Sequence, residues 1–509
     1  MRTKASISLI FFLIWVSVCT YAQHALPVTP NPSPEAKALL ELMYKLSGKH
    51  MLSGQHNFPI SRDRNSQFAA SYIGKTPVVW SQDFGFAAAG DKDSYLARPS
   101  IVDEAIRQHH LGSIITLCWH AVPPTADEPV TFQPAPGHDP SALASVQGRL
   151  TDQQFQEILT PGTSLHMRWM AQVDEIAGYL KQLQDAGVPV LWRPYHEMNG
   201  DWFWWGGRYE GEYTTARLYR QLFDRMVHHH KLNNLIWMWS VDRPSQPGRA
   251  FVNFFPGDDY LDIVSLDVYG SDFNQQYYED LKDLAKDKPL ALGEVGVPPA
   301  LDVLKTQPAW ILYVIWSGMA KGTPKAQYES FVEDPFVLFR EDEAYTRLVN
   351  PLRGVSGLPP LTNAQAADFS GFWVLNEYES RIERAFGSAA PHKMHIIQVE
   401  DVLAVESYSE VEWSDDQVSK QLIRGDGSDM VTRVFNAPRT QNAHWSTGKD
   451  SLIISSKITF NRGGTPNEIT GMDIWRLHKM GKQLVIEQKV RSNRGETQSV
   501  LVYEKGGYN

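Results

Sequence analysis

Cysteine is almost missing from this chain: 509 residues contain two, Cys19 and Cys118. Cys19 falls in an apolar N-terminal stretch, so the chain beyond it has one thiol and no internal disulfide, although an exporting compartment would permit one. A single cysteine inside the apolar run 113–120 packs a strand more readily than it serves as a nucleophile. There is no CxxC and no HExxH, and His228-His229-His230 lies at the polar end of a helical pattern, so neither a metal site nor a cofactor is expected. No basic run of five residues occurs and the formal charge is −10, which argues against a nucleic-acid partner. A long apolar run is also lacking. The best one, 7–18, is too short for a comfortable membrane span. Arg2 and Lys4 precede it and Thr20-Tyr21-Ala22 follows, which is the pattern of an export signal over residues 1–22. Periplasmic or secreted location is the expectation. A lipoprotein anchor at Cys19 is disfavoured by the bulk of Val18 before it.

What the chain does have is aromatic surface: 11% Phe, Trp and Tyr, including 16 tryptophans. An indole needs something flat to pack or stack on.

Between a proline-rich leader and residue 355, short apolar runs alternate with amphipathic helical patterns. The runs are 50–55, 77–83, 113–120, 189–196, 235–240, 262–269, 289–294 and 310–316. Each is nearly continuous in apolar residues, as strands buried on both faces require. Eight strands alternating with helices predict a (β/α)₈ barrel over residues 23–355. An open doubly wound sheet would carry a glycine-rich phosphate turn after its first strand, and "SGQHNFPISRD" is not one. A Pro/Gly-rich linker (356–370) leads to alternating, turn-punctuated sequence over 371–509, which predicts a small antiparallel β-barrel.

Polar groups gather where the apolar runs end: Gln55-His56, Gln82-Asp83, Trp119-His120, His196-Glu197, Asp242, Asp267 to Tyr269, Glu294 and Trp316. In a barrel those ends share one rim, and chemistry is done there. Glu197 ends the fourth strand and Glu294 the seventh, so two carboxylates can face one another across the mouth. Glycoside hydrolysis needs such a pair, and a short gap between them gives retention of configuration. Arg193, four residues before Glu197, would share its face and supply a fixed charge that keeps a nucleophile ionised. The aromatic run Trp202 to Trp205, with Trp119, His120, Tyr269 and Trp316, offers flat faces and donors suited to sugar rings, although some of these rings must pack the loop itself.

The stretches "LWRPYHEMNGDWFWWG", "GEVG", "ITLCWH" and "SLDVYG" together resemble glycoside hydrolase family 26, whose best-known members are β-mannanases, over about residues 35–352. The resemblance implies a retaining double displacement on β-1,4-mannosidic linkages, with Glu197 as acid/base and Glu294 as nucleophile. It implies that His196 shapes the site and that Arg193 and Tyr269 contact the nucleophile. It places Trp119 and His120 on the glycone side, Trp202 on the leaving-group side, Trp316 under the sugar being cleaved, and Asp267 as an acidic group holding the site together. Mixed-linkage β-glucan and β-1,3-xylan stay open as substrates, as does a non-catalytic polysaccharide-binding role. The tail ("GFWVLNEYES", "WRLHKMGKQLVIEQK") resembles lipocalin-like β-domains, with cell-surface or polysaccharide contact as the expected role.

Overall fold

The structure, a computed structural model, describes residues 26–85, 96–361, 367–383 and 390–506, apart from 412, 435–436, 447–448, 450, 463–464, 480 and 494. The expected export signal, Cys19 and part of the expected linker lie outside the described residues. The chain divides into two compact units, Met1–Leu361 and Thr362–Asn509.

The first unit is built on eight parallel strands. They are β1 (Gly54–His56), β2 (Val79–Asp83), β3 (Ile114–Trp119) and β4 (Val190–Pro194), then β5 (Leu235–Asp242), β6 (Ile263–Val268), β7 (Leu290–Val295) and β8 (Trp310–Ile315). Each pairs with the next, and β8 returns to β1 through Ile315 beside Gln55, so the sheet closes into a (β/α)₈ barrel. The expected first strand is divided. Met51–Leu52 pairs with a short extra strand, Val337–Leu338, and Ser53 sends its N–H to Leu338.

Alternation along the strands sorts the side chains. Leu191, Ile236, Met238, Ile263, Ala291 and Ile311 form one buried cluster with Leu39, Leu42, Met43 and Leu46 of helix Pro34–Leu46. That helix starts at Ser33, whose hydroxyl accepts from Ala36 N at 3.1 Å, with Pro34 as its first residue. On the other face of the strands, Trp192, Trp237, Trp239 and Trp310 pack against the helical layer. Much of the tryptophan is therefore scaffold. Helix Ser164–Asp185 shows the matching stripe, with Trp169, Val173, Ile176, Leu180 and Leu183 buried and Thr163 capping its start.

The second unit is an antiparallel sheet of ten strands, from Gly371–Leu375 to Gly495–Gly506, in which the last strand pairs back onto the first. Every other pairing joins strands consecutive in the chain, and one consecutive pair forms no ladder. Gln417–Arg424 and Asp426–Val434, joined through Gly425, are the two edges of the sheet. The sheet is thus a nearly closed up-and-down barrel, as alternation and turn residues predicted. Trp373, Leu403, Leu452, Trp475, Leu484 and Tyr503 fill its core.

Candidate active site

Strand β4 delivers the first group. Leu191 points inward with the apolar cluster, so two residues later Arg193 does too, at the rim end of the barrel. It is buried, and its two nitrogens reach different carboxylates: Nη1 donates to Asp267 Oδ2 at 2.9 Å, and Nη2 donates to Glu294 Oε1. Its partner is Glu294, and Glu197 takes no bond from it. Alternation does not extend to Glu197 because β4 stops at Pro194. Tyr195 and Glu197 both have positive φ (48° and 51°), so the chain turns sharply before the acid.

Strict alternation would aim Glu294 outward with Leu292. The pairing of β7 with both of its neighbours shifts register here, and the irregularity turns Glu294 into the rim beside Asp267. Gly293 makes the approach possible, because a Cβ there would stand 2.5 Å from Ser265 Oγ and 2.8 Å from Asp267 Oδ1. Tyr269 OH donates to Glu294 Oε2 at 2.8 Å, and Ser240 Oγ donates to Asp267 Oδ1 at 2.8 Å. Burial and the neighbouring carboxylates keep the Tyr269 phenol protonated, so it stays a donor.

Carboxylate oxygens of Glu197, Asp267 and Glu294 lie within 4.8 Å of one another. Arg193 reaches two of the three and leaves Glu197 facing carboxyl groups without a cation of its own. Burial, reinforced by Asp267, Glu294 and Asp242, pushes Glu197 well above the usual carboxylate range, and a hydrogen bond from Trp202 opposes the shift. That bond runs from Trp202 Nε1 to Glu197 Oε2 at 2.7 Å. Glu197 and Trp202 line a cavity of about 420 Å³ with Asp242, Arg243, Tyr269 and Tyr277.

On the opposite side of the rim, Trp316 stacks on His56 with centroids 3.8 Å apart and planes 17° apart. His120 lies edge-on to His196 at 4.3 Å, and its Nδ1 meets Asp83 Oδ2. Burial works against the Asp83 charge, but His120, His56 and the Gly85 N–H outweigh it and hold the carboxyl well below its usual range. His196 Nε2 is 3.6 Å from Glu294 Oε1, and burial together with His120, Arg193 and His56 holds it well below its ordinary value, so it is neutral.

The structure thus brings Glu197, Glu294, Arg193, Asp267, Tyr269, His196, His120, Trp202 and Trp316 to one rim. Trp119 is the exception and corrects the expectation of a glycone-side contact. Its neighbour His120 faces the site, so Trp119 points the other way, into the helical layer beside Gln172 and Ile176 and against Tyr195. Of the aromatic run, Phe203, Trp204 and Trp205 are buried, and the two indoles donate to Ala121 O and His196 O. Cys118 is buried and unpaired by disulfide, and no metal-ligand cluster forms at His228-His229-His230 among the described residues. Asp83, His56 and Asp242 were visible as polar strand ends. Asn199, bonded to the Asp242 backbone, and Arg249, over the Trp202 ring, carried no sequence signal beyond their nearness to β4 and β5.

The model of Glycosyl hydrolase family 26 matches residues 28–342. A mannan endo-1,4-beta-mannosidase of Thermothelomyces thermophilus is 33% identical over 295 residues, 56% of this chain and 56% of that protein. Another, of Bacillus subtilis, is 32% identical over 318 residues, 58% of this chain and 81% of that protein. Among solved structures, GH26A of Muricauda sp. shares 39% identity with a TM-score of 0.56, covering 61% of this chain and 98% of that one. The chain spans about half the length of several curated relatives, 44% to 56% for four of them. The chain belongs to glycosyl hydrolase family 26.

Proposed function

We propose that this family 26 glycosyl hydrolase is a retaining endo-β-1,4-mannanase. The observation that carries the reaction type is the short gap between Glu197 and Glu294, whose oxygens lie within 4.8 Å. Retaining enzymes hold their two carboxyl groups about 5–5.5 Å apart, and inverting ones leave about 6.5–9.5 Å for a water. Glu294, placed by Arg193 and Tyr269, attacks the anomeric carbon. The raised pKa of Glu197 keeps a proton available, and that proton passes to the leaving oxygen as the glycosidic bond breaks. In the second half Glu197 takes a proton from water, which displaces Glu294 from the sugar. Trp316, His120 and His196 form the wall for the sugar being cleaved, and Trp202 stands on the leaving-group side. The mannan substrate rests on relatives named for that activity, such as the Thermothelomyces and Bacillus proteins. A panel of purified polysaccharides assayed for new reducing ends tests it. Cleavage of mannan is expected, cleavage only of mixed-linkage β-glucan or β-1,3-xylan would move the substrate, and binding without cleavage would make the chain a binder.

The export-signal pattern of residues 1–22 supports export, and no described helix is long and apolar enough to cross a membrane. We read the second unit as lipocalin-like in its up-and-down connectivity, although its ten strands exceed the eight of that barrel. A polysaccharide or cell-surface contact is supported by Tyr378 and Trp413, which are 103% and 96% exposed. Retention of the full chain on insoluble mannan, lost on replacing both with Ala, would bear this role out. Unchanged retention would end it.

A further inference from the structure

Trp202 holds Glu197 by a single N–H, so whatever holds the indole acts on the acid. The ring lies over Gly200, where a Cβ would stand 2.4 Å from its six-membered edge. Phe203 meets the ring edge-on at 6.3 Å, and Arg249 covers its face. The arginine ends the short turn Pro247–Arg249 after β5, and its guanidinium carbon stands 5.2 Å from the indole centroid. The guanidinium is itself fixed, with Nη2 donating to Asp201 Oδ1 at 2.5 Å and Nη1 to Ser245 Oγ at 2.9 Å. The backbone of the two segments is tied as well. The buried Asn199 amide donates to Asp242 O at 2.6 Å and Arg249 O at 3.1 Å, and accepts from Asp242 N at 2.7 Å.

We infer that Arg249, held by Asp201, is a positioning residue: it keeps the Trp202 indole turned so that its N–H reaches Glu197. The inference rests on the reading of Glu197 as acid/base. Trp202 is only half-buried, and without the cation over its face the indole gains rotamers that lose the bond. Loss of an N–H that favours the carboxylate form makes the proton harder to remove, so the basic limb of activity should move to higher pH. The other charged or titratable groups around the acid are Asp242, Asp267, Glu294 and Tyr269, with Arg193 and His196 behind them against Glu294. Those around Arg249 are Asp201 and Asp242, with Arg243 between Asp242 and Asp272 at 3.5 and 3.7 Å.

The test is Arg249→Met, which keeps an unbranched apolar stem, examined alone and with Trp202→Phe. On mannan kcat/KM should fall about tenfold, the scale of one hydrogen bond to a charged group, and its basic limb should rise by about half a pH unit or more. On an aryl manno-oligosaccharide whose phenolate needs no protonation the loss should shrink. In the Trp202→Phe background Arg249→Met should move the limb no further, because both act through one contact. A rise in KM with kcat and the limb unchanged would mean that Arg249 touches substrate, and additive limb shifts would mean that it acts by its own charge. Either overturns the inference. If the unsubstituted protein hydrolyses no mannan, the reading of the reaction falls and takes this inference with it. If it does and the limb stays put in the variant, this inference falls alone.

Discussion

Two glutamates share one rim and have opposite surroundings. Glu294 stands between a guanidinium and a phenol, both donors, so its site is built around an acceptor. Glu197 meets one indole N–H and three carboxyl neighbours, so its site is built around a proton. The lesson is that residue type assigns neither role. Arg193 separates them by reaching Asp267 and Glu294 and sparing Glu197.

The largest effect should come from abolishing one side. Glu294→Ala is expected to reduce release of reducing ends from mannan by on the order of 10⁴ or more, with thermal unfolding little changed. Retained turnover would remove it as nucleophile. Glu197→Ala should cost about 10²–10⁴ on mannan and much less in kcat/KM for an aryl glycoside whose leaving group needs no proton. Equal losses on both substrates would break the asymmetry. Removing one donor from Glu294 is gentler. Tyr269→Phe forfeits a bond of about 1.5–3 kcal/mol and should lower kcat roughly 10- to 100-fold, measured by steady-state kinetics. A change in KM alone would contradict a role at the nucleophile.

A smaller effect is thermodynamic. The folded protein binds a proton at Glu197 more tightly than the unfolded chain does, so this group's contribution to stability is present at low pH and is lost as pH rises above the ordinary carboxylate pKa of about 4.3. The Tm of Glu197→Gln should therefore gain on that of the unsubstituted protein between pH 5 and pH 8. Parallel Tm curves would refute the raised pKa. The smallest expected effect concerns Trp119, whose replacement by Phe should leave KM for mannan within about twofold, while Trp316→Ala raises it about tenfold or more, the scale of a lost stacking partner. Equal rises would return Trp119 to the site.

Much of this was legible because a parallel barrel writes its strands as continuous apolar runs and its rim as the polar residues that end them. Glu197, Glu294, Asp267 and His120 were found that way. Side-chain direction was less legible. Period-two alternation sends Trp119 to the helices, and it stops short of Glu197, which lies past the end of its strand on a left-handed turn. The register shift that aims Glu294 inward leaves no mark in the sequence other than Gly293. Arg249 was invisible because its meaning depends on a loop after β5 folding back onto a loop after β4. The second unit was readable as strands and turns, since alternation with glycine punctuation is local. The missing ladder between Gln417–Arg424 and Asp426–Val434 is not local, and nothing at Gly425 announces it.

The most direct test of the two-glutamate assignment is to trap the covalent intermediate. A manno-oligosaccharide fluorinated at C2 of the reacting sugar, with an activated leaving group, slows breakdown of the glycosyl-enzyme enough for peptide mass spectrometry. One sugar adduct is expected, on Glu294. An adduct on Glu197, or turnover with no adduct and an inverted first product, would contradict the assignment.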